Sequence, residues 1–279
     1  MNRLQIKKSV EFFLLEDIGY RDLSSSIFLK DSTGEAYILA KEDGVLSGSD
    51  VVGVCYELLD SSLKIDLLKN DRERFTKGEK IASIKGPMAS ILSGERVVLN
   101  LLQRMCGIAT LTDLAVKTLN STHTKICDTR KTTPGLRQFE KYAVRCGGGH
   151  NHRYGLSDAV MIKDNHISFS GTIAKAVNAV KEKVGHTVKI EVEIESEKQL
   201  YEAIDAGADI IMFDNRSPEE VKRFVEITPS HIVTEASGGI NLENLADYSH
   251  TGVDYISMGL LTHSVKALDL SMYVKERGL

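Results

Sequence analysis

At 279 residues the chain is long enough for one large domain or two unequal ones, and its formal charge of -4 excludes a general attraction to nucleic acid. Hydrophobic residues make up 42% and charged residues 27%, and no apolar run approaches the roughly 18 residues that a membrane helix needs. The four cysteines (Cys55, Cys106, Cys127, Cys146) lie far apart with no C-x-x-C, which argues against a disulfide framework and for a reducing, cytoplasmic setting.

The first stretch predicts a helix over 3–16, with Glu11 and Glu16 bracketing the apolar Phe12 to Leu15, an amphipathic pattern and a poor signal peptide. A glycine-punctuated strand region follows from Gly34 to Gly48, then a helix over 50–60. Strands at 63–69 and 80–85 are separated by the turn Lys77-Gly78-Glu79. A long helical stretch runs from Met88 to Asn120, with a break expected at Gly107. This part reads as α+β.

After Thr124 the grammar changes to strand–helix alternation, with strands expected at 124–128, 158–163, 188–194, 209–213, 231–235 and 254–257. Ser217-Pro218-Glu219-Glu220 is a capping box with proline at the first helical position, and Ser196 with Gln199 forms a second start signal. Such alternation implies a parallel sheet, open or closed into a barrel. Lys163, Glu193, Asp214, Ser237-Gly238-Gly239 and Gly259 each fall at or just past the C-terminal end of an expected strand, the reactive face of a (β/α) barrel. Only about six strands are visible, so the barrel is expected to be incomplete. In 189–195 the odd positions are charged and the even ones apolar. For a parallel strand this puts carboxylates inside the barrel, where they need cations, metal or water; the alternative is a solvent-facing antiparallel strand.

Positive charge is concentrated in 127–166. Arg130-Lys131-Thr132-Thr133-Pro134-Gly135 combines a planar guanidinium, an ammonium and two hydroxyls on a loop, an anion cradle if it is more than a solvated dipeptide. Gly147-Gly148-Gly149 allows close approach of the backbone to a ligand, and His152 and Arg153 follow as anion contacts. Cys146, His150 and His152 do not complete a zinc set. Lys163 closes an apolar strand and has three readings: Schiff-base chemistry, phosphate binding, or an ion pair with Glu193 or Glu191. Glu193 and Asp214 suit Mg²⁺ or sugar hydroxyls, and Ser237, Gly238, Gly239 and Gly259 suit a phosphate. Arg96 and Arg104, on the helix from Met88, read as ordinary surface charges. Among the remaining histidines, His263 is the best outsider.

The run DTRKTTPGLR, followed by EKYAV, GGG, HR, DAV and IKDNH, resembles quinolinate phosphoribosyltransferase. The resemblance continues through LLEDIG, GERVVLNLLQRMCGIAT, EVEIES, MFDN, EASGGI and GVDYISMGLL. It implies an N-terminal α/β sandwich domain over 1–105, joined by 266–279, and an incomplete α/β barrel over 106–265. It further implies transfer of phosphoribose from phosphoribosyl pyrophosphate to quinolinate with Mg²⁺, loss of CO₂, no organic cofactor, and a homodimer with sites at the subunit interface. Arg96, Arg130, His152, Arg153 and Lys163 would surround the two quinolinate carboxylates, with Lys131 also serving the anions. Lys131, Lys163, Glu193 and Asp214 would carry the chemistry, Glu193 and Asp214 facing ribose and metal. Ser237, Gly238, Gly239 and Gly259 would hold the phosphates. Arg96 would act across the dimer. The alternatives are a molybdenum-transport-associated relative of the same fold and a non-catalytic anion-binding barrel.

Overall fold

A computed structural model describes residues 1–28 and 32–275, so the last four residues of the 266–279 segment lie outside the described residues. In chain order the first elements are α1 (Arg3–Ile18), β1 (Thr33–Ala40), β2 (Gly44–Val45), α2 (Ser49–Leu59), β3 (Lys64–Leu67), β4 (Arg74–Phe75), β5 (Lys80–Pro87), α3 (Met88–Ser93) and α4 (Glu95–Leu119). They continue with β6 (Lys125–Cys127), α5 (Arg137–Cys146), β7 (Val160–Ile162), α6 (Asp164–Ser170), α7 (Ile173–Lys181), β8 (Ile190–Ile194) and α8 (Glu197–Asp205). The series closes with β9 (Ile210–Asp214), α9 (Pro218–Ile227), β10 (Val233–Ser237), β11 (Tyr255–Ser257), α10 (Leu260–His263) and β12 (Leu270–Val274). The chain forms two compact units. One holds Met1–Asp113, Thr133–Gly148 and the segment from Ser264; the other holds Leu114–Thr132 and Gly149–His263.

The first unit is built on an antiparallel sheet in the order β12-β1-β5-β3. Along β1 the alternate residues Ala36, Ile38 and Ala40 are fully buried, the signature of a sheet with one face on a core. Helix α1 starts where the Asn2 side chain accepts the Leu4 N–H, buries Ile6, Val10 and Leu14 along one stripe, and packs on α2. The helical stretch from Met88 breaks at Gly94, not at the expected Gly107. A Cβ on Gly94 would stand 2.7 Å from both Tyr56 and Leu59, so the chain turns where only glycine fits. Gly107 instead stays helical, and its missing Cβ makes room for the Lys266 carbonyl, 2.3 Å from where that atom would be.

The second unit is a six-stranded parallel sheet in the order β6-β11-β10-β9-β8-β7. Its two edges, β6 and β7, do not pair with each other among the described residues. Beyond β6 a single parallel bridge joins Cys127 to His150, with Asp128 N–H to His150 O at 3.1 Å and His150 N–H to Ile126 O at 2.8 Å. This is the incomplete barrel. Its crossover helices start as the sequence indicates. At α9 Ser217 Oγ accepts the Glu220 N–H while Glu220 accepts the Ser217 N–H. At α8 Ser196 Oγ accepts the Gln199 N–H, but Gln199 reaches the N–H of Glu195, so that box is not reciprocal. The strand expected at 231–235 runs two residues later, which places Glu235 inside β10 and Ser237 at its end.

Candidate active site

All six strands end toward one cavity of about 500 Å³. Thr129, Arg130 and Lys131 follow β6, His152 and Arg153 follow the His150 bridge, and Lys163 follows β7. Glu193, Asp214, Ser237 and Ser257 come from β8 to β11, with Gly238 and Gly239 on the loop after β10. Arg130, Lys131, His152, Arg153, Lys163, Glu193, Asp214, Ser237, Gly238 and Gly239 therefore share one cavity, whereas the run Gly147-Gly148-Gly149 does not line it, and neither does Gly259. That residue sits behind it: a Cβ there would be 3.1 Å from Lys131 Cδ and 3.0 Å from the His263 ring. Arg96 belongs to the first unit, where it is exposed, lies 3.4 Å from Glu95, and lines a different cavity with Arg21 and Asp22.

The cations converge without enough anions to match. Arg130 Nε is buried and has no hydrogen-bond partner. Arg153 donates through Nη1 to Ala159 O at 2.9 Å; burial, and next the nearby Arg130, hold its guanidinium below the usual arginine pKa. Two guanidinium groups set close enough to repel each other make a site for a ligand of more than one negative charge. Lys163 Nζ is bonded to Glu193, so the ion pair weighed from the sequence is present.

The carboxylate wall follows from the strand pattern. Along β8, Glu191 is buried and Glu193 half-buried, which places both on the interior face and rules out the solvent-facing alternative. Asp214 accepts from Asn215 Nδ2 at 2.6 Å, and its carbonyl accepts from Arg216 Nε at 3.0 Å. Gly238 has φ of +87°, and a Cβ on it would lie 2.4 Å from Asn215 Oδ1, so both its conformation and its neighbour require glycine. That contact seats the 237–239 turn against the end of β9, on the lining of the cavity.

Several contributing residues have no counterpart in the sequence reading. Asp128 is fully buried and accepts from the His152 N–H at 2.9 Å and from Asn151 Nδ2 at 2.6 Å, tying the histidine segment to the end of β6. Glu235 is buried beside Glu191, with Oε1 unpartnered; burial first, and then Glu191, push its carboxyl up to about 7. The charged alternation of 189–195 flags Glu191, but Glu235 leaves no such trace. In the first unit, Arg104 is no ordinary surface charge. It reaches Glu140 through Nε at 2.8 Å and Thr133 Oγ1 through Nη2 at 2.9 Å, while Glu140 accepts the Thr133 N–H at 3.2 Å. This clamp holds the loop that begins two residues after Lys131.

An incomplete parallel barrel whose strand ends gather arginines and lysines opposite carboxylates defines an enzyme that handles a small polyanion. Residues 22–106 match the family model for the quinolinate phosphoribosyl transferase N-terminal domain, and residues 108–273 match that for its C-terminal domain. The chain is 56% identical over 274 residues to a probable carboxylating nicotinate-nucleotide pyrophosphorylase of Bacillus subtilis, covering 98% of this chain and 95% of that one. It is similar to the crystal structure of NadC from Streptococcus pyogenes (TM-score 0.95, 39% identity, 99% and 98% of the two chains). It is also similar to the nicotinate-nucleotide pyrophosphorylase from Francisella tularensis (TM-score 0.93, 39% identity, 99% and 98% covered). The chain belongs to the quinolinate phosphoribosyltransferase family.

Proposed function

We propose that the chain transfers phosphoribose from phosphoribosyl pyrophosphate to quinolinate with decarboxylation, giving nicotinate mononucleotide, pyrophosphate and CO₂ for NAD synthesis. The observation that carries this reading is the buried, unpartnered Nε of Arg130 beside Arg153, a cationic pair suited to a dicarboxylate. Lys131 and Lys163 add charge for the remaining anionic groups. The turn at Ser237, Gly238 and Gly239, together with Gly259, would offer N–H groups to a phosphate.

In this reading the arginines orient the pyridine so that its nitrogen attacks C1 of the ribose as the bond to pyrophosphate breaks, which lowers the entropic barrier. Positive charge develops on the ribose at that moment, and Glu193 and Asp214 face it. The new N–C bond makes the ring cationic. The carboxylate next to the nitrogen then leaves as CO₂, the electron pair of the broken bond stays on the ring carbon beside the cationic nitrogen that stabilises it, and that carbon takes a proton. Glu193 and Asp214 are hard oxygen donors on neighbouring strands of one cavity, a set that fits Mg²⁺. The ion would neutralise charge on the pyrophosphate. A barrel that only bound anions would have no use for these carboxylates.

Arg96 lines a cavity of its own in the first unit. Its part in the reading is to complete the quinolinate site of the other subunit in a homodimer. Among the described residues no helix is long and apolar enough to cross a membrane. All four cysteines are buried thiols, in keeping with a reducing cytoplasm. The testing experiment is quinolinate consumption followed by ultraviolet absorbance, with phosphoribosyl pyrophosphate, with and without Mg²⁺. No consumption would defeat the reading.

A further inference from the structure

The reaction just described gives no role to Glu191 and Glu235, two buried carboxylates that meet His152 on the lining of the cavity. The geometry of the imidazole is specific. The Arg153 N–H donates to His152 Nδ1 at 2.8 Å, so Nδ1 must carry a lone pair and the ring proton sits on Nε2. Nε2 faces Glu191 Oε2 at 3.1 Å and Glu235 Oε2 at 3.6 Å. His152 is thus held at both nitrogens, by the backbone of the next residue and by a buried carboxylate.

The three donor atoms lie within 4.8 Å of one another, which also suggests a cation cage. The tautomer speaks against it. A metal on Nε2 would displace the proton there, and with Nδ1 already accepting an N–H the ring would have to be an imidazolate. Hydrogen bonding satisfies the same atoms without that cost.

We propose that Glu191 is a positioning residue for the anion pocket: it accepts the His152 Nε2–H, selects the tautomer whose Nδ1 accepts the Arg153 N–H, and so fixes the backbone from which Arg153 reaches the dicarboxylate. Glu235 backs Glu191 from β10. The alternative tautomer would set an Nδ1–H against the Arg153 N–H, two donors face to face, and the 152–153 backbone would have to turn away. What the pocket needs from Glu191 is an acceptor oxygen. The inference rests on quinolinate being the substrate, but its central observation does not.

The test compares Glu191→Leu with Glu191→Gln in the full-length protein. The Leu variant lacks an acceptor, and its KM for quinolinate should rise by about tenfold or more, while KM for phosphoribosyl pyrophosphate stays within about threefold. The Gln variant keeps an acceptor oxygen and should remain within about threefold of wild type for both. Long-range ¹H–¹⁵N NMR of His152, read without substrate, should show the Nε2–H tautomer in the wild type and the Gln variant, and a mixture in the Leu variant. Equal damage in the two variants, an unchanged quinolinate KM in the Leu variant, an Nδ1–H tautomer in the wild type, or one tightly held metal ion per chain would each overturn the proposal. If Glu191→Leu does not fold, the wild-type tautomer and the kinetics of Glu191→Gln still decide. A wild type that shows the Nε2–H tautomer but does not consume quinolinate would defeat the functional reading alone.

Discussion

Replacing Arg130 by alanine separates binding from folding. Without ligand, its Nε is buried with no partner, and its charge helps to depress the Arg153 pKa. Truncation therefore breaks no bond at Nε and relieves a like-charge contact. The ligand-free variant should match wild-type stability to within about 0.5 kcal/mol, or gain slightly. Quinolinate binding should suffer far more. A charge-assisted contact to a carboxylate is worth roughly 1.5–3 kcal/mol, which is about 10- to 150-fold in Kd. Calorimetric titration of quinolinate gives the affinity, and thermal unfolding without ligand gives the stability. An unchanged Kd would refute the role, and a loss of several kcal/mol in stability would show Arg130 to be structural instead.

Glu193→Gln and Asp214→Asn keep side-chain size but remove the charge facing the ribose. Both should lower kcat while leaving quinolinate affinity nearly intact, and activity within a few-fold of wild type in steady-state assays would make the two carboxylates structural. Glu235, with its carboxyl raised to about 7, holds its proton longer in the folded chain than in the unfolded one. Its contribution to stability therefore falls as pH rises from its unfolded pKa toward 7 and stays low above, by up to roughly 3 kcal/mol. Glu235→Gln, neutral throughout, should melt above wild type at pH 8 and lose that advantage toward pH 5; a gap that does not change with pH in thermal melts would contradict this. Arg96→Ala and Lys163→Ala subunits, each inactive alone, should regain about half the wild-type activity per heterodimer when mixed, because one site then carries both lesions and the other neither. No recovery after demonstrated subunit exchange would place Arg96 outside the partner's site.

Sequence periodicity reveals the second unit better than the first because a βα repeat writes itself locally: apolar strand, capped helix, apolar strand. Ser217 with Glu220 marks a helix start without any knowledge of the fold. The Gly94 break is different in kind. The helix yields where Tyr56 and Leu59, some 35 residues earlier in the chain, leave no room for a Cβ, and nothing near Gly94 announces them. The same holds at the site. Lys163, Glu193 and Asp214 are legible because they end strands, and Arg130 and Arg153 because positive charge gathers in one segment. Asp128, Glu140 and Glu235 are less legible: they are buried acids that meet His152, Arg104 and Glu191 only once the chain has folded. Arg104 shows the ambiguity most clearly. On a helix face it reads as a solvated charge, and only α5 folding beside it, with Glu140 buried, turns it into an anchor for the Thr133 loop.

The most direct test of the central claim is to offer the purified protein quinolinate and nicotinate in parallel, each with phosphoribosyl pyrophosphate and Mg²⁺, and to measure CO₂ release and mononucleotide formation. A site built for two carboxylates leaves buried cations unmatched when one is missing, a penalty of roughly 2–5 kcal/mol. Quinolinate should give equimolar CO₂ and nicotinate mononucleotide, with nicotinate turned over at least tens of times more slowly. Comparable turnover of nicotinate, or no mononucleotide from quinolinate, would contradict the account.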